Sequence, residues 1–342
     1  MESRRIIRTI ARRLGAPLPM KTLMALTSQK MVLPFYHTVS DHPLPHLIHL
    51  LPIRNSLTFR HDMEWLLRHY TPVDIGQLEA MATREDAIKR PCFHLSFDDG
   101  LKEATTVIAP ILLEMGIPAT FFLNTAFIGN KDLFYRFKAS LLTLRAQKAG
   151  DSTTKKASQL LAAAGINAPS LKDQLLAVEY PQMELLDEVA PLLGMDFREY
   201  LKNHEVYLDE EDISTLLRQG FSIGGHSHDH PEFRRVTPEE QLLQARESTR
   251  LLKERFGVSP ALFSFPFSDD EVPASFFRQV HPPAGDIALT FGISGLKKEA
   301  FRRHLHRIPM EQGNFSAASL LHGEYLYYLM KEPFHKNRIN RP

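Results

Sequence analysis

One short stretch limits the fold more than any other part of this 342-residue chain. Residues 91–97 form an apolar run that predicts a buried strand. Residues 101–115 have helical spacing and are followed by Gly116, and residues 119–123 are β-branched and aromatic, which predicts a second strand. A strand, a helix and a strand in roughly 30 residues form a βαβ unit, which requires a parallel sheet. We therefore expect an α/β protein.

The same alternation continues on both sides of a different segment. Further strands are predicted at 31–37, 221–223, 261–265, 286–291 and 306–309, and further helices at 59–70, 212–219 and 238–256. Residues 132–207 instead carry Leu, Ala, Lys, Glu and Gln at helical spacing with few strand signals. We interpret this segment as a helical insertion. Because it follows a strand, it could overhang the face on which the strands end.

Two short polar strings follow predicted strands. Ser-Phe-Asp-Asp-Gly at 96–100 contains Asp98 and Asp99, and Gly-His-Ser-His-Asp-His at 225–230 contains three imidazoles. Active sites of α/β barrels lie at the carboxyl ends of the strands, so both strings can reach one face. Carboxylate and imidazole together are the ligands of a hydrolytic metal site. The second Asp could be the base that activates a metal-bound water.

Each string also has a simpler interpretation when it is taken alone. An Asp-Asp-Gly turn can cap a helix, and a His-rich string can be a solvated loop. These interpretations weaken because both strings follow strands of one parallel sheet. The strings together therefore indicate a metal-dependent hydrolase.

Composition excludes several other classes. The chain has 41 basic and 40 acidic residues, which does not indicate a nucleic-acid binder. Its single cysteine, Cys92, excludes an intrachain disulfide and a cysteine-rich zinc site. No apolar run is long enough for a transmembrane helix, and no secretory signal is visible, so we expect a cytoplasmic protein.

The N-terminus has the pattern of a basic amphipathic helix, which would pack on the domain or contact the inner face of an anionic membrane. That helix would carry Arg4, Arg5, Arg8, Arg12 and Arg13.

The motifs at 96–100, 119–123 and 225–231 together resemble the polysaccharide deacetylase family (the NodB homology domain, carbohydrate esterase family 4). The resemblance implies a distorted (β/α) barrel, here with a helical insertion. We expect four parts. They are a basic N-terminal extension (1–30), a deacetylase catalytic domain (31–130 and 209–320), the helical insertion (131–208) and a C-terminal tail (321–342).

The resemblance also implies roles for the motif residues. Asp98 would be the catalytic base, and Asp99, His226 and His230 would hold a divalent metal, zinc first, with cobalt, nickel or another divalent ion as alternatives. Ser227 would hold the loop through a hydrogen bond. The intervening His228 and Asp229 would be loop residues.

The family's third motif is altered in this chain. Pro266 and Phe267 match it, and the backbone N–H near Phe267 could donate to the oxyanion. Ser264 stands where the family often has an arginine that orients the catalytic Asp. Arg307 is a candidate replacement, and a structural or surface ion pair is the alternative role for it.

The proton donor is the least defined role. The family's fourth motif is absent, and for the fifth we select His306 over His304 because strand alternation puts His306 in phase with Ile308. An exposed histidine is the alternative. His37 resembles the histidine of an early Tyr-His pair in the family and could line the pocket, or be a structural histidine.

The function that the resemblance implies is removal of N-acetyl groups from the amino sugars of a glycan. Two alternatives stay open. The chain could hydrolyse another amide, such as a formamide, on the same scaffold. It could also be a non-catalytic glycan-binding or assembly protein with a vestigial site. The sequence leaves the oligomeric state open.

Overall fold

A computed structural model describes residues 18–83 and 88–342 of the chain. The predicted basic helix with Arg4 to Arg13 lies outside the described residues. No helix within the described part is long and apolar enough to cross a membrane.

Parallel pairing dominates the strands. The strands are β1 (Met31–Val32), β2 (Pro34–Tyr36), β3 (Thr71–Pro72), β4 (Cys92–Phe93), β5 (Leu95–Phe97), β6 (Ala119–Leu123), β7 (Ser222–Gly225), β8 (Ala261–Ser264), β9 (Ile287–Gly292), β10 (His304–His306) and β11 (Ile308–Pro309). Eight of them form one parallel sheet in the order β10-β9-β8-β7-β6-β5-β2-β11. A small sheet has the order β1-β4-β3.

The large sheet is nearly closed into a barrel. Its two edge strands, β10 and β11, are consecutive pieces of chain separated by Arg307 alone. β10 pairs with β9, and β11 pairs with β2. One segment, 304–309, therefore borders both edges of the sheet and brings them together. The expected distorted (β/α) barrel is confirmed.

Helices surround the sheet. They are α1 (Met20–Thr27), α2 (Ser56–His69), α3 (Ile75–Thr83), α4 (Ala109–Met115), α5 (Tyr135–Ala146), α6 (Asp151–Ala163), α7 (Leu171–Ala177), α8 (Glu184–Val189), α9 (Phe197–Asn203), α10 (Glu210–Arg218), α11 (Pro238–Phe256), α12 (Ala274–Val280) and α13 (Ala317–Lys331). The helix predicted from residue 101 differs at its start, because Ala104–Ile108 form a π-helical turn before α4. Pro110 follows that turn and has no N–H to donate back into it.

The segment between β6 and α10 is helical, and α5 to α9 share an apolar core of their own. The proline-rich loop after β2 packs onto this core through buried Leu47. Polar contacts fasten the loop there as well. Ser140 Oγ donates to the Pro45 carbonyl at 3.0 Å, and His46 Nδ1 lies 3.2 Å from the Tyr200 hydroxyl. We call residues 44–53 together with residues 134–203, which include α5 to α9, the roof.

Two of the proposed domain boundaries do not coincide with structural boundaries. The boundary at 320/321 falls inside α13, whose Leu321 and Tyr325 are fully buried in the main core. Helix α1 joins the same core through Leu23. Residues 18–30 and α13 therefore pack as parts of the barrel domain, because α13 contacts α1 and α2 and all three share its apolar core.

Candidate metal centre

The first polar string turns sharply where β5 ends. Asp98 directly follows the strand, and Asp99 and Gly100 then take positive φ angles of 72° and 64°. A Cβ on residue 100 would lie 2.8 Å from Leu123 Cδ2, at a φ that side chains rarely adopt, so this turn favours glycine. The turn places two adjacent carboxylates on the same end of the barrel.

Three predicted ligands converge at this end. Asp99 Oδ1 lies 3.2 Å from His230 Nε2 and 3.5 Å from His226 Nε2. All three side chains are buried, and their candidate ligand atoms lie within 4.8 Å of one another. Asp99 Oδ1 has no hydrogen-bond donor among the described residues. A buried carboxylate oxygen facing two imidazole nitrogens without a donor fits a divalent cation.

The loop that carries the two histidines is held by its own polar groups. The His230 N–H donates to Ser227 Oγ at 3.0 Å, and both residues have a φ of +68°. Asn124 Nδ2 donates to the His226 carbonyl. His226 Nδ1 lies 2.9 Å from the Ser264 carbonyl, so that contact leaves Nε2 free to bind a metal. Burial is the main cause that lowers the pKa of His226 to about 4. The lower pKa favours the neutral imidazole, which is the form that binds metals.

The two intervening residues face away from the candidate ligands. His228 Nδ1 contacts Thr125 Oγ1 at 2.9 Å. Asp229 accepts hydrogen bonds from the Tyr180 hydroxyl at 2.7 Å and from Gln244 Nε2 at 2.8 Å. These contacts tie the loop to the roof and to α11.

Asp98 is paired with Arg307. The guanidinium donates two hydrogen bonds to the carboxylate, from Nη1 to Oδ1 at 2.7 Å and from Nη2 to Oδ2 at 2.8 Å. Arg307 is fully buried and lies over the ring of Phe35, 4.3 Å from its centroid. Nη2 also donates to Ser264 Oγ, the residue that stands in the family's arginine position. Burial alone would raise the pKa of Asp98, but Arg307 outweighs it and lowers that pKa, so Asp98 is ionised.

His306 lies apart from this centre. Strand alternation places its side chain on the opposite face from Arg307, and the inward position belongs to the arginine. His306 Nε2 lies 3.3 Å from Glu299 Oε2, and His304 Nε2 lies 3.2 Å from Asp269 Oδ2. Strand alternation is therefore present, but it places His306, the histidine that we selected as the proton donor, in a separate buried cluster.

That separate cluster already contains a cation. Asp269, His304 and His306 have the spacing of metal ligands. However, Arg341 Nη2 pairs with Asp269 Oδ2 at 2.5 Å and with Glu299 Oε2 at 2.7 Å. The guanidinium supplies the positive charge that these carboxylates need, so the cluster is explained as a structural network.

His37 faces the cavity above the centre and has a carboxylate partner. Its Nδ1 lies 2.5 Å from Glu311 Oε2, and Glu311 also accepts from the backbone N–H groups of His37 and Thr38 at 2.9 and 3.1 Å. Burial lowers the pKa of His37, but Glu311 outweighs it and raises that pKa to about 9. Glu311 was missed from the sequence. Its position just after β11, where barrel active sites are built, was the available signal.

The cavity at this end has a volume of about 410 Å³. Its walls include Asp98, Asp99, His226, His230, His37, Phe267, and, from the roof, His49, Leu50, Leu51, Phe134, Arg136, Phe137 and Leu176. The roof residues were not predicted individually, although an overhanging insertion was.

The altered third motif borders the same cavity. Phe267 has a φ of +54°, and its ring centroid lies 4.8 Å from that of His230. Pro266 precedes it and is buried. Asp99, Ser227, His230 and Phe267 thus all have left-handed backbones, a strain that is typical of functional sites.

The structure is a parallel barrel whose strand ends carry an Asp-His-His group with the spacing of metal ligands and, beside it, a separate ionised Asp. The profile of the polysaccharide deacetylase family matches residues 86–276, more than half of the chain. The chain therefore belongs to the polysaccharide deacetylase family, whose members hydrolyse the amide C–N bond of N-acetyl groups.

Solved structures share the fold at low sequence identity. The deacetylase PplD from Streptococcus pyogenes, solved with acetate, is 12% identical with a TM-score of 0.54, covering 86% of this chain and 98% of that one. IcaB from Ammonifex degensii is 13% identical with a TM-score of 0.54, covering 86% and 97%. A polysaccharide deacetylase from Bacillus cereus is 12% identical with a TM-score of 0.52, covering 86% and 69%. No curated protein matches this chain.

Proposed function

We propose that this protein removes N-acetyl groups from an amino sugar of a glycan, with Asp98 as the base and with Asp99, His226 and His230 as the ligands of a divalent metal. The observation that carries the proposal is the convergence of the three candidate ligands beside an ionised Asp98 in one cavity. When bound, the ion would supply Lewis-acid activation of the amide carbonyl and of water. Zinc suits this ligand set, and cobalt or nickel are alternatives.

The chain's own groups account for the proton transfers. Asp98 accepts a proton from the water that attacks the amide carbon, while Arg307 keeps its carboxylate ionised and oriented. The backbone N–H of Phe267 donates to the developing oxyanion, and buried Pro266 holds the turn that presents it. The C–N bond then breaks, acetate leaves, and the amine takes a proton.

His37 is our proposed donor of that last proton. It lines the cavity, unlike His306, and Glu311 keeps it protonated at neutral pH. Its pairing with a carboxylate resembles the orientation of other catalytic histidines by an acidic partner. His306 would instead act in the buried network with Glu299.

Replacing His37 with glutamine is expected to lower kcat by roughly 10²-fold, the usual contribution of a general acid. The matched replacement of His306 should change kcat little, because its imidazole lies outside the cavity. Activity of the wild type should fall as pH rises through the pKa of His37. Glu311 raises that pKa to about 9, so this limb should lie near pH 9. A larger loss from His306→Gln than from His37→Gln would reverse the assignment.

A substrate panel separates this function from its alternatives. Acetate release from N-acetylated oligosaccharides supports the proposal, and formate release from an N-formyl amino sugar alone would indicate a deformylase. Glycan binding with neither product and no bound metal would indicate a non-catalytic protein.

A further inference from the structure

The wall of the cavity is largely apolar. Apart from the five groups of the reacting centre (Asp98, Asp99, His226, His230 and His37), ten apolar residues and two basic residues line it. None of these twelve is a carboxylate, an amide or a hydroxyl. Sugar hydroxyls both donate and accept hydrogen bonds, and buried ones that find no partner weaken binding. A run of several sugar units is therefore poorly matched to this wall.

The roof supplies half of the apolar wall. Its contributions are Leu50, Leu51, Phe134, Phe137 and Leu176. The two parts of the roof are joined near the cavity, where His49 Nδ1 lies 3.2 Å from Ser140 Oγ on α5. The shared apolar core and this contact hold the wall in place. The apolar surface is thus a fixed part of the cavity wall, and it suits an apolar portion of a ligand.

Arg136 is the cation of this wall. It lies in the first turn of α5 and is half-buried between Phe134 and Phe137 in the cavity lining. Its Nη1 donates to the Leu176 carbonyl at 3.0 Å, which orients the guanidinium. No carboxylate of the described residues pairs with it. An arginine held in this way, with donors to spare and no acidic partner, is suited to bind an anion such as a phosphate.

The other basic side chain of this wall is the imidazole of His49. The pKa of His49 is lowered by burial and by the positive charge of Lys172. That shift favours the neutral imidazole, so Arg136 supplies the positive charge on the roof side of the cavity, while the acidic groups lie on the barrel side.

We infer that the substrate is an amphiphilic glycoconjugate, in which an N-acetylated amino sugar is joined through a phosphate to an alkyl or isoprenoid chain. The inference rests on the proposed deacetylase function and specifies its substrate class. The acetamido group meets Asp98, the phosphate pairs with Arg136, and the apolar chain lies against Leu50, Leu51 and Leu176. A sugar that carries only the phosphate, or only the apolar chain, would contact only part of this wall.

Four compounds test the inference through acetate release by the metal-loaded protein. They are N-acetylglucosamine 1-phosphate, decyl N-acetylglucosaminide, the decyl phosphodiester of N-acetylglucosamine, and N-acetylchitotetraose. We expect kcat/KM to be highest for the decyl phosphodiester, roughly tenfold above each partial compound and further above the tetraose. A tetraose that is cleaved as efficiently as the decyl phosphodiester would overturn the inference.

Variants of the roof separate the two parts of recognition. Arg136→Gln should reduce the advantage of the decyl phosphodiester over decyl N-acetylglucosaminide, and Arg136→Lys should restore part of it. Leu51→Asn should instead reduce the advantage of the decyl phosphodiester over the 1-phosphate. Arg145→Gln, at an exposed position on the same helix, is the matched control and should change neither ratio. The inference would be overturned if Arg136→Gln left the first of these ratios unchanged and Leu51→Asn left the second unchanged.

The outcomes distinguish this inference from the proposed function. If none of the four compounds releases acetate, the deacetylase function itself fails. If acetate is released and the tetraose is the best substrate, the function stands and the substrate class proposed here is wrong. If the decyl phosphodiester is best and Arg136→Gln removes its advantage, both are supported.

Discussion

Replacing Asp98 with asparagine is expected to lower kcat for acetate release by roughly 10²- to 10⁴-fold, the range that general-base catalysis contributes. Asparagine can keep a hydrogen bond to Arg307 but cannot accept the proton of the attacking water. Bound metal should stay at the wild-type level, because the three candidate ligands are Asp99, His226 and His230. Steady-state kinetics and metal analysis of the same preparation check both parts.

Asp229 provides the matched control for this experiment. It is another aspartate of the site loops, but it bonds Tyr180 and Gln244 and does not line the cavity. Asp229→Asn should therefore have a much smaller effect on kcat than Asp98→Asn. An Asp98→Asn protein that keeps most of its kcat would exclude Asp98 as the base, and one that loses its metal would make Asp98 a ligand.

Replacing Arg307 with glutamine is expected to destabilise the protein by about 3–5 kcal/mol and to shift its pH–activity profile. The substitution leaves the Asp98 carboxylate buried without its bidentate partner. Arg307 lowers the pKa of Asp98 in the wild type, so its removal raises that pKa. The acid limb of kcat/KM should move to higher pH, since Asp98 must be ionised to accept a proton. Denaturant unfolding and a pH profile measure the two effects.

Arg303 offers a comparison from the same part of the chain. Its ion pair with Glu79 is partly exposed, so Arg303→Gln should cost less than about 1 kcal/mol and leave the pH profile in place. If Arg307→Gln shifts no limb of the profile, the arginine is a structural ion pair only.

The motif residues were predictable because their chemistry is local. Asp98, Asp99, His226 and His230 lie within short strings at the ends of strands, and parallel pairing brings the ends of such strands together. Strand alternation implies that the neighbours Arg307 and His306 point in opposite directions. The sequence could not show which of them faces inward, because that depends on how the segment 304–309 joins both edges of the sheet.

Other parts of the site depend on distant residues. Glu311 lies 274 positions from His37, and no local pattern links them. The predicted insertion is helical, but which of its side chains border the cavity depends on packing between α5, α7 and the loop after β2. The boundary at 320/321 failed to match for a similar reason, because α13 is buried by tertiary contacts with α1 and α2.

Metal content of the purified protein and of three single variants tests the central claim most directly. The account predicts about one divalent ion per chain in the wild type, and a large loss of that ion in both Asp99→Ala and His226→Ala, since each removes one of three ligands. His306→Ala, which alters the other histidine cluster, should keep the ion. A wild-type protein that binds no divalent ion, or an ion that survives Asp99→Ala and is lost in His306→Ala, would contradict the account.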